Sequence, residues 1–249
     1  MAEAFLMHHI HSGGGGGGVD LVTWQNGSDD QIAAMVTADR AGSIDLRDYW
    51  SVGDERTAVL SAITPTTTGI AESQPIQPIT FVILHKGGDN DDYRFIVGTK
   101  ECLANPGKMD TVATGISWMQ EIRCTWCDSE FRNAIPSTFR GIFKQWNVPC
   151  NTKTGGSSID SDRYFALAAE KEVFGSNTYA QGESSLFQFD YYKTAANRIK
   201  ISGVNGSACE YWTRSIRYNN ANFCIVNSAG ASKNYGVTQD RYLSPIGRI

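Results

Sequence analysis

The sequence lacks several features that would place it in a well-defined class. No stretch approaches the roughly 20 consecutive apolar residues that a membrane-spanning helix needs, and the opening residues have neither the basic start nor the long apolar core of a signal peptide. The 22 basic and 26 acidic residues give a net charge of −4 without a block of like charge, which argues against nucleic-acid binding. We therefore expect a chain that folds in a reducing cytosol, without a membrane span or a nucleic-acid partner.

Sequence patterns that carry catalysis are also missing. Outside the first eleven residues the only histidine is His85, at the end of an apolar run. No nucleophile elbow, phosphate-binding loop or zinc-protease motif occurs. Because general acid–base chemistry needs converging carboxylates or a poised histidine, we predict that the chain is not an enzyme and uses no cofactor.

The six cysteines do not form a metal-binding pattern. Cys124 and Cys127 have the spacing of a zinc knuckle or a redox pair, but no second close pair follows. In a reducing compartment the default role of a cysteine is a small buried apolar residue. We predict buried thiols, with a metal site or a disulfide as the alternatives.

A run of six glycines, Gly13–Gly18, separates a histidine-containing start from the rest of the chain. Glycine is the residue most costly to order and offers no side chain to bury, so residues 1–18 are predicted to form a flexible arm. His9 and His11 would point the same way on an extended strand. In a threefold assembly they could form a metal site with six nitrogens, and the alternative is a disordered polar arm.

Residues 19–44 are predicted to form a short attachment segment. Ser28 or Asp29 is placed to cap a helix that carries Ile32, Met35 and Val36. The segment is too small to fold by itself, so we expect it to dock on symmetry-related copies or on the next protein in an assembly.

Residues 45–249 have the pattern of an α+β domain with a small mixed or antiparallel sheet, two or three helices and long polar loops. Helices are predicted within Ser117–Trp146, with a restart at Pro136, and Arg123, Arg132 and Arg140 are expected on the exposed side. Cys150–Asp162 is predicted to be a polar loop. The predicted strands are Asp54–Ile63, Ile76–His85, Tyr93–Thr99, Arg163–Leu167, Glu210–Ile216, Ala221–Asn227 and Tyr242–Ile249.

The last forty residues have the loop composition of a binding surface. Asn, Ser, Tyr, Gly and Arg between short strands supply adaptable hydrogen bonds and flat aromatic faces, although ordinary exposed turns have a similar composition. Trp212 is expected in the core, and a structural ion pair is the alternative role for Arg214. The candidate ligand-binding residues are Arg214, Arg217, Tyr218, Asn219, Asn220, Asn222, Lys233, Asn234 and Tyr235.

An ordered series of motifs over about residues 45–249 resembles the DUF6273 type of domain, which is common in gut-bacterial phages and in surface proteins of Firmicutes. The motifs are Asp48-Tyr-Trp-Ser-Val-Gly-Asp54, Arg123-Cys-Thr-Trp-Cys-Asp128, Phe131-Arg-Asn-Ala-Ile-Pro136, Phe189-Asp-Tyr-Tyr-Lys-Thr-Ala-Ala-Asn197, Tyr211-Trp-Thr-Arg-Ser215, Phe223-Cys-Ile-Val-Asn-Ser-Ala-Gly230 and Leu243-Ser-Pro-Ile-Gly-Arg-Ile249.

The end of the chain is also similar to C-type-lectin-like folds of the formylglycine-enzyme and phage-adhesin branch, in which the last hairpins contact the ligand. Two activities of such folds are not carried over. The calcium-dependent sugar motifs are replaced by Gln77-Pro-Ile79 and Gln145-Trp-Asn147, and Cys209 and Cys224 are too far apart for the copper-binding pair of the oxidase.

The resemblance implies a homo-oligomeric phage tail protein, with a trimer favoured. It would be made in the bacterial host cytoplasm and would bind a glycan or protein on the host surface through its C-terminal loops. A structural tail or capsid-decoration protein without receptor binding is the alternative.

Overall fold

The computed structural model describes residues 18–66 and 73–249, so His9, His11 and nearly all of the predicted arm lie outside the described residues. The chain is an α+β fold of short antiparallel strands. These are β1 (Glu55–Leu60), β2 (Gln77–Lys86), β3 (Phe95–Thr99), β4 (Trp146–Asn151), β5 (Ser157–Arg163), β6 (Phe165–Leu167), β7 (Lys200–Ile201), β8 (Ala208–Cys209), β9 (Tyr211–Ile216), β10 (Asn222–Val226), β11 (Ser232–Gly236) and β12 (Pro245–Arg248).

Among the described residues the α-helices are few, and only α1 exceeds five residues. They are α1 (Asp29–Arg40), α2 (Ile122–Trp126), α3 (Arg132–Ala134), α4 (Ser137–Arg140), α5 (Glu170–Phe174) and α6 (Asp190–Lys193). A π-helical turn, Cys127–Phe131, joins α2 to α3, and 3-10 turns occupy Leu46–Asp48, Trp118–Gln120 and Ala195–Arg198. No helix among the described residues is long and apolar enough to cross a membrane.

The largest sheet has five antiparallel strands in the order β1-β2-β3-β12-β6. The C-terminal strand β12 therefore lies between strands from two earlier parts of the chain. Gly247 pairs with Val97 on one side and with Phe165 on the other. A Cβ at this position would lie 2.8 Å from the Phe165 ring and 2.9 Å from the Phe143 ring, so the close packing over the sheet requires glycine.

Residues 19–44 contribute Trp24, Ile32, Met35 and Val36 to the same hydrophobic core as the rest of the chain. Ser28 caps α1 and forms a reciprocal capping box with Gln31, as its position predicted. The Trp24 ring lies 5.2 Å from that of Trp50 and 5.6 Å from that of Phe139, centroid to centroid. The segment is thus packed on the core of the chain.

The region 117–146 is less helical than its apolar spacing predicted. A new helix does begin after Pro136, but Trp146 starts strand β4. The expected exposure of Arg123 is wrong: its side chain is 1% exposed, donates to the Lys108 carbonyl and lies 4.8 Å from the Trp126 ring centroid. Burial lowers the pKa of Arg123 to about 10.

Two strands replace predicted loops. Strand β5 lies inside the stretch 150–162, and β11 lies in the final loop region. Both contain serine, aspartate, asparagine or glycine, which intrinsic preference disfavours in strands. Each is held by its hairpin partner, β5 by β4 and β11 by β10. The second sheet therefore has three strands, in the order β11-β10-β9.

Candidate binding cleft

A polar loop, residues 175–184, follows helix α5 and is held from beneath by a buried carboxylate. Gly175 ends the helix in the left-handed conformation, with φ +78°. The Glu170 carboxylate is fully buried and accepts hydrogen bonds from the backbone N–H groups of Tyr179 (3.1 Å) and Ala180 (2.9 Å). These bonds fix the middle of the loop, whose other side chains, apart from the buried Ala180 and Glu183, lie at or near the surface.

A tight turn between β9 and β10, residues 217–222, lies beside this loop. The Tyr218 N–H donates to the Tyr179 carbonyl at 3.0 Å, and the Asn219 N–H donates to the Lys153 carbonyl at 2.6 Å. Asn219 has φ +56°, a conformation that asparagine tolerates better than most residues. The turn is therefore bonded to the 175–184 loop on one side and to the β4–β5 turn on the other.

The three loops meet at glycines. A Cβ at Gly182 would collide with the Gly156 carbonyl, and both Gly155 and Gly182 have positive φ. The Tyr218 ring lies against Gly155, where a Cβ would be 3.2 Å from the ring. Backbone packing without intervening side chains makes the junction rigid.

The 175–184 loop and the 217–222 turn line an open polar cleft of about 740 Å³, and the β4–β5 turn lies behind them. Tyr179 is half-buried, while Tyr218 is 38% exposed. The Arg217 guanidinium carbon lies 5.8 Å from the Tyr179 ring centroid. Such a cleft offers aromatic faces beside cationic and amide donors. Its lining residues are Lys171, Gly175, Ser176, Asn177, Thr178, Tyr179, Ala180, Gln181, Gly182, Glu183, Ser184, Arg217 and Tyr218.

Beneath the cleft lies a buried ionic group, which we call the Arg214 cluster: Arg214, Glu170, Glu172 and Glu183. Arg214 is fully buried and pairs with both oxygens of Glu172 at 2.6 Å. Glu183 accepts from the Ser215 hydroxyl and from the Lys171 N–H. Burial raises the pKa of Glu183 to about 7, against the opposing effect of these donors and of Arg214.

Residues 97–245, more than half of the chain, match the family model of the domain of unknown function DUF6273. The chain belongs to this family. No curated protein and no solved structure matches the chain. The DUF6273 match runs from β3 into β12 and contains all three cleft loops together with the Arg214 cluster.

Of the predicted site residues in the DUF6273 region, Arg217 and Tyr218 line the cleft, and Asn219 and Asn220 are exposed beside it on the same turn. Asn222 and Asn234 are half-buried behind them. The Asn234 side-chain oxygen accepts from Arg217 Nη1 at 3.1 Å and from Asn222 Nδ2 at 3.0 Å. These two asparagines thus orient Arg217 rather than face solvent.

Lys233 and Tyr235 lie on the opposite face of β11, because alternate residues of a strand point to opposite sides. Lys233 Nζ donates to the Tyr235 hydroxyl at 2.6 Å, and the Arg241 guanidinium carbon lies 3.7 Å from the Tyr235 ring centroid. Glu210 accepts from Arg241 at 2.9 Å. The structure therefore divides the predicted residues between two surfaces.

Arg214 does not reach either surface, which corrects its prediction as a ligand contact. Besides Glu172, it donates to the carbonyls of Pro149 (2.9 Å) and Leu167 (2.7 Å). The alternative role, a structural ion pair, is the one the structure shows. The six cysteines are free and buried, as expected for apolar packing.

Sequence reasoning missed the 175–184 loop. It carries Asn177, Thr178, Tyr179 and Gln181 after a glycine helix stop, the same polar and aromatic composition that selected the C-terminal turns. That composition was a usable signal. The missing information was the position of the loop, which depends on the hydrogen bonds from the Tyr179 and Ala180 N–H groups to Glu170 and on those that Glu183 accepts from Lys171 and Ser215.

Proposed function

We propose that this chain is a phage tail protein that recognises a glycan on the bacterial host surface, and that the cleft at the 175–184 loop and the 217–222 turn binds the sugar. The observation that carries the proposal is the placement of two tyrosines, Tyr179 and Tyr218, beside Arg217 in one open polar cleft. Aromatic faces stack on sugar rings, while amide and guanidinium groups bond to hydroxyls. The position in a virion rests on the family resemblance.

A C-type-lectin-like fold is part of this proposal. Its support is the C-terminal strand β12 inside the main sheet and a second small sheet, β11-β10-β9, whose connecting turn borders the cleft. We further propose a homotrimer attached to other tail proteins through its N-terminal segment. Several copies would make weak single sites effective, because the second contact becomes intramolecular.

The test compares the two surfaces. Purified protein is measured against host cells and a glycan array, with Tyr179→Ala and Tyr218→Ala as the cleft variants. The matched control is Tyr235→Ala on the opposite face of β11. Loss of one stacked ring should weaken each site about tenfold, which corresponds to about 1.4 kcal/mol. Wild-type binding that neither cleft variant changes would refute the cleft, and loss only in the control would move the site to the Tyr235 surface.

The alternative, a structural tail or capsid-decoration protein, is favoured by exposed apolar residues near the β4–β5 hairpin. Ile116, Met119 and Ile159 are 42%, 42% and 58% exposed, and Met119 Sδ lies 3.1 Å from the hydroxyl of Ser158. Exposed apolar groups of this kind suit contacts with neighbouring subunits. Stoichiometric incorporation into virions, together with no binding to host cells or glycans by the assembled protein, would support this function.

A further inference from the structure

The candidate cleft carries positive charge, although the chain as a whole has a net charge of −4. The charged residues that line it are Lys171, Glu183 and Arg217. The Glu183 side chain is 3% exposed, and its carboxylate accepts from the Ser215 hydroxyl and from the Lys171 N–H within the Arg214 cluster. The charges that a ligand in the cleft can reach are therefore the two cations.

Arg217 has no carboxylate partner among the described residues, which sets it apart from most of the other arginines. Its guanidinium donates to Asn234 Oδ1 at 3.1 Å, and its other N–H groups have no acceptor in the part of the chain that the structure describes. The arginines that form ion pairs with Asp or Glu there are Arg47, Arg56, Arg94, Arg163, Arg214, Arg241 and Arg248.

The position of the Arg217 side chain is fixed from behind. Asn222 Nδ2 donates to the same Asn234 oxygen at 3.0 Å, and the Arg217 N–H donates to the Asn222 carbonyl at 2.8 Å. On the cleft side, the guanidinium carbon lies 5.8 Å from the Tyr179 ring centroid. A planar guanidinium that is held in place loses little freedom when it binds, and it matches the two oxygens of a carboxylate or phosphate.

Asn177 adds an unsatisfied acceptor to the same cleft. Its Oδ1 is buried and has no hydrogen-bond partner among the described residues, while the residue itself lines the cleft. A buried acceptor without a donor costs free energy, which a ligand with a suitable donor recovers. The hydroxyl groups of a sugar supply such donors, whereas a bare anion such as sulfate has none. The cleft therefore offers separate partners for an acidic group and for a hydroxyl group.

We propose that the cleft selects an acidic glycan, in which a sugar carries a carboxylate or a phosphate, and that Arg217 determines this specificity. The inference rests on the proposed function, because it assigns the charge of the glycan that the same cleft binds. The acidic group pairs with the free N–H groups of Arg217, the sugar ring packs on Tyr179, and a hydroxyl donates to Asn177. Lys171 adds positive charge without a fork of donors, and its Nζ already donates to the Ser184 carbonyl at 3.0 Å.

The test measures the binding of the full chain to three immobilised polymers: polygalacturonate, its methyl ester, and poly(glycerol phosphate) that carries glucose. The ester differs from the acid only in charge, and the phosphate polymer shows which acidic group is preferred. The wild-type protein should bind at least one acidic polymer about tenfold or more tightly than the ester. Raising the salt concentration from about 0.1 M to about 1 M should weaken only the acidic interaction, because it shortens the screening length from about 10 Å to about 3 Å.

The variant Arg217→Gln keeps amide donors but removes the charge. Its affinity for the preferred acidic polymer should fall about 10–100-fold, while its affinity for the ester should fall less than about threefold. The ester thus serves as an internal check that the variant is folded. Arg140→Gln is the matched control, because Arg140 is also partly exposed and bonded to an asparagine oxygen, that of Asn133 at 3.0 Å. It should bind all three polymers as the wild-type protein does.

The outcomes separate this inference from the proposed function. Equal wild-type affinity for the acid and the ester, or an equal loss of both in Arg217→Gln, would overturn the selection of acidic glycans and leave glycan binding intact. Failure to bind either acidic polymer would also overturn it. The proposed function would fall as well only if Tyr179→Ala and Tyr218→Ala both left host-cell binding unchanged.

Discussion

The Arg214 cluster and the loop 110–121 both bury carboxylates, but the groups that surround these carboxylates differ. In the cluster, Glu170, Glu172 and Glu183 each accept from named donors, and one guanidinium lies among them. In the loop 110–121, Glu121 faces a second carboxylate, Asp110, and its pKa is raised to about 8 by burial, by the charge of Asp110 and by the side-chain hydrogen bond between the two acids. A buried carboxylate with donors can serve as scaffold, whereas one that faces a second carboxylate requires a proton.

The Arg214 cluster is scaffold because it joins distant parts of the chain. Arg214 on β9 bonds to Glu172 on α5, to the Pro149 carbonyl on β4 and to the Leu167 carbonyl on β6. Glu172 in turn accepts from the Ala169 N–H and so caps the start of α5. The cleft loops extend from these elements, so their geometry depends on the cluster.

The largest expected effect follows from removing the one cation of the cluster. Arg214→Met should lower the free energy of unfolding by about 3–5 kcal/mol, because it leaves Glu172 buried without its partner. Urea denaturation measures this loss. Arg217→Met, which changes the partly exposed arginine of the cleft, is the matched control and should cost less than about 1 kcal/mol. Equal losses in the two variants would contradict the prediction that the buried pair of Arg214 and Glu172 stabilises the fold more than the partly exposed Arg217 does.

The next effect is a pH dependence of stability from Glu183. Its pKa is about 7 in the folded protein and near 4.5 in the unfolded chain, so the folded protein holds the proton more tightly. The stabilisation is fully present below pH 4.5 and is lost as the pH rises through 7. The expected loss is about 3 kcal/mol, at about 1.36 kcal/mol per pKa unit, measured by urea denaturation across that range.

The variant Glu183→Gln isolates this contribution, since glutamine keeps an acceptor for Ser215 and does not titrate. Its stability should vary about half as much between pH 4.5 and 7 as that of the wild-type protein, because Glu121, whose pKa is raised to about 8 by burial and by Asp110, contributes over the same range. Glu55→Gln, on the edge strand β1 and ion-paired with Lys100 at 2.7 Å, should leave the wild-type slope unchanged. A slope in Glu183→Gln equal to that of the wild-type protein would show that Glu183 does not contribute.

Sequence patterns predicted the parts of this structure that depend on local rules. Ser28 is placed to cap a helix, Pro136 to restart one, and the ranges Asp54–Ile63 and Ile76–His85 predict the strands β1 and β2. Local rules failed for β5 and β11, whose residues have low strand preference and are held by hairpin partners. They failed for Arg123 as well, because its burial depends on Lys108 and Trp126 from packed segments.

Only part of the candidate cleft could be predicted from the sequence, because its other residues depend on long-range pairing rather than on local rules. The composition of the C-terminal turns selected Arg217 and Tyr218, which do line it. The same composition could not separate these residues from Lys233 and Tyr235, because the strand β11 that places them on opposite faces was itself not predicted. Arg214 was ambiguous in sequence, since an arginine on a strand suits a ligand or an ion pair equally until its partner Glu172 is located.

A smaller effect distinguishes the two acids of the loop 110–121. Asp110→Asn should cost about 1–2 kcal/mol, because an asparagine offers one acceptor oxygen where Asp110 uses two, and a backbone N–H loses its partner. At neutral pH, Glu121→Gln should cost nothing measurable, since Glu121, with a pKa of about 8, is mostly neutral there and glutamine keeps its size and a donor for Asp110. Urea denaturation compares them, and equal costs would contradict the difference between the two carboxylates.

The smallest effect is expected at the cleft surface, where a side chain can change without disturbing the scaffold beneath it. Tyr218→Ala should change the free energy of unfolding by less than about 0.5 kcal/mol, because the ring is partly exposed and the bond from the Tyr218 N–H to the Tyr179 carbonyl involves only backbone atoms. Tyr192→Ala, at a tyrosine only 1% exposed, should cost about 3–5 kcal/mol. A stable Tyr218→Ala variant is what permits its loss of glycan binding to be assigned to the cleft, whereas a large loss of stability would place Tyr218 within the scaffold.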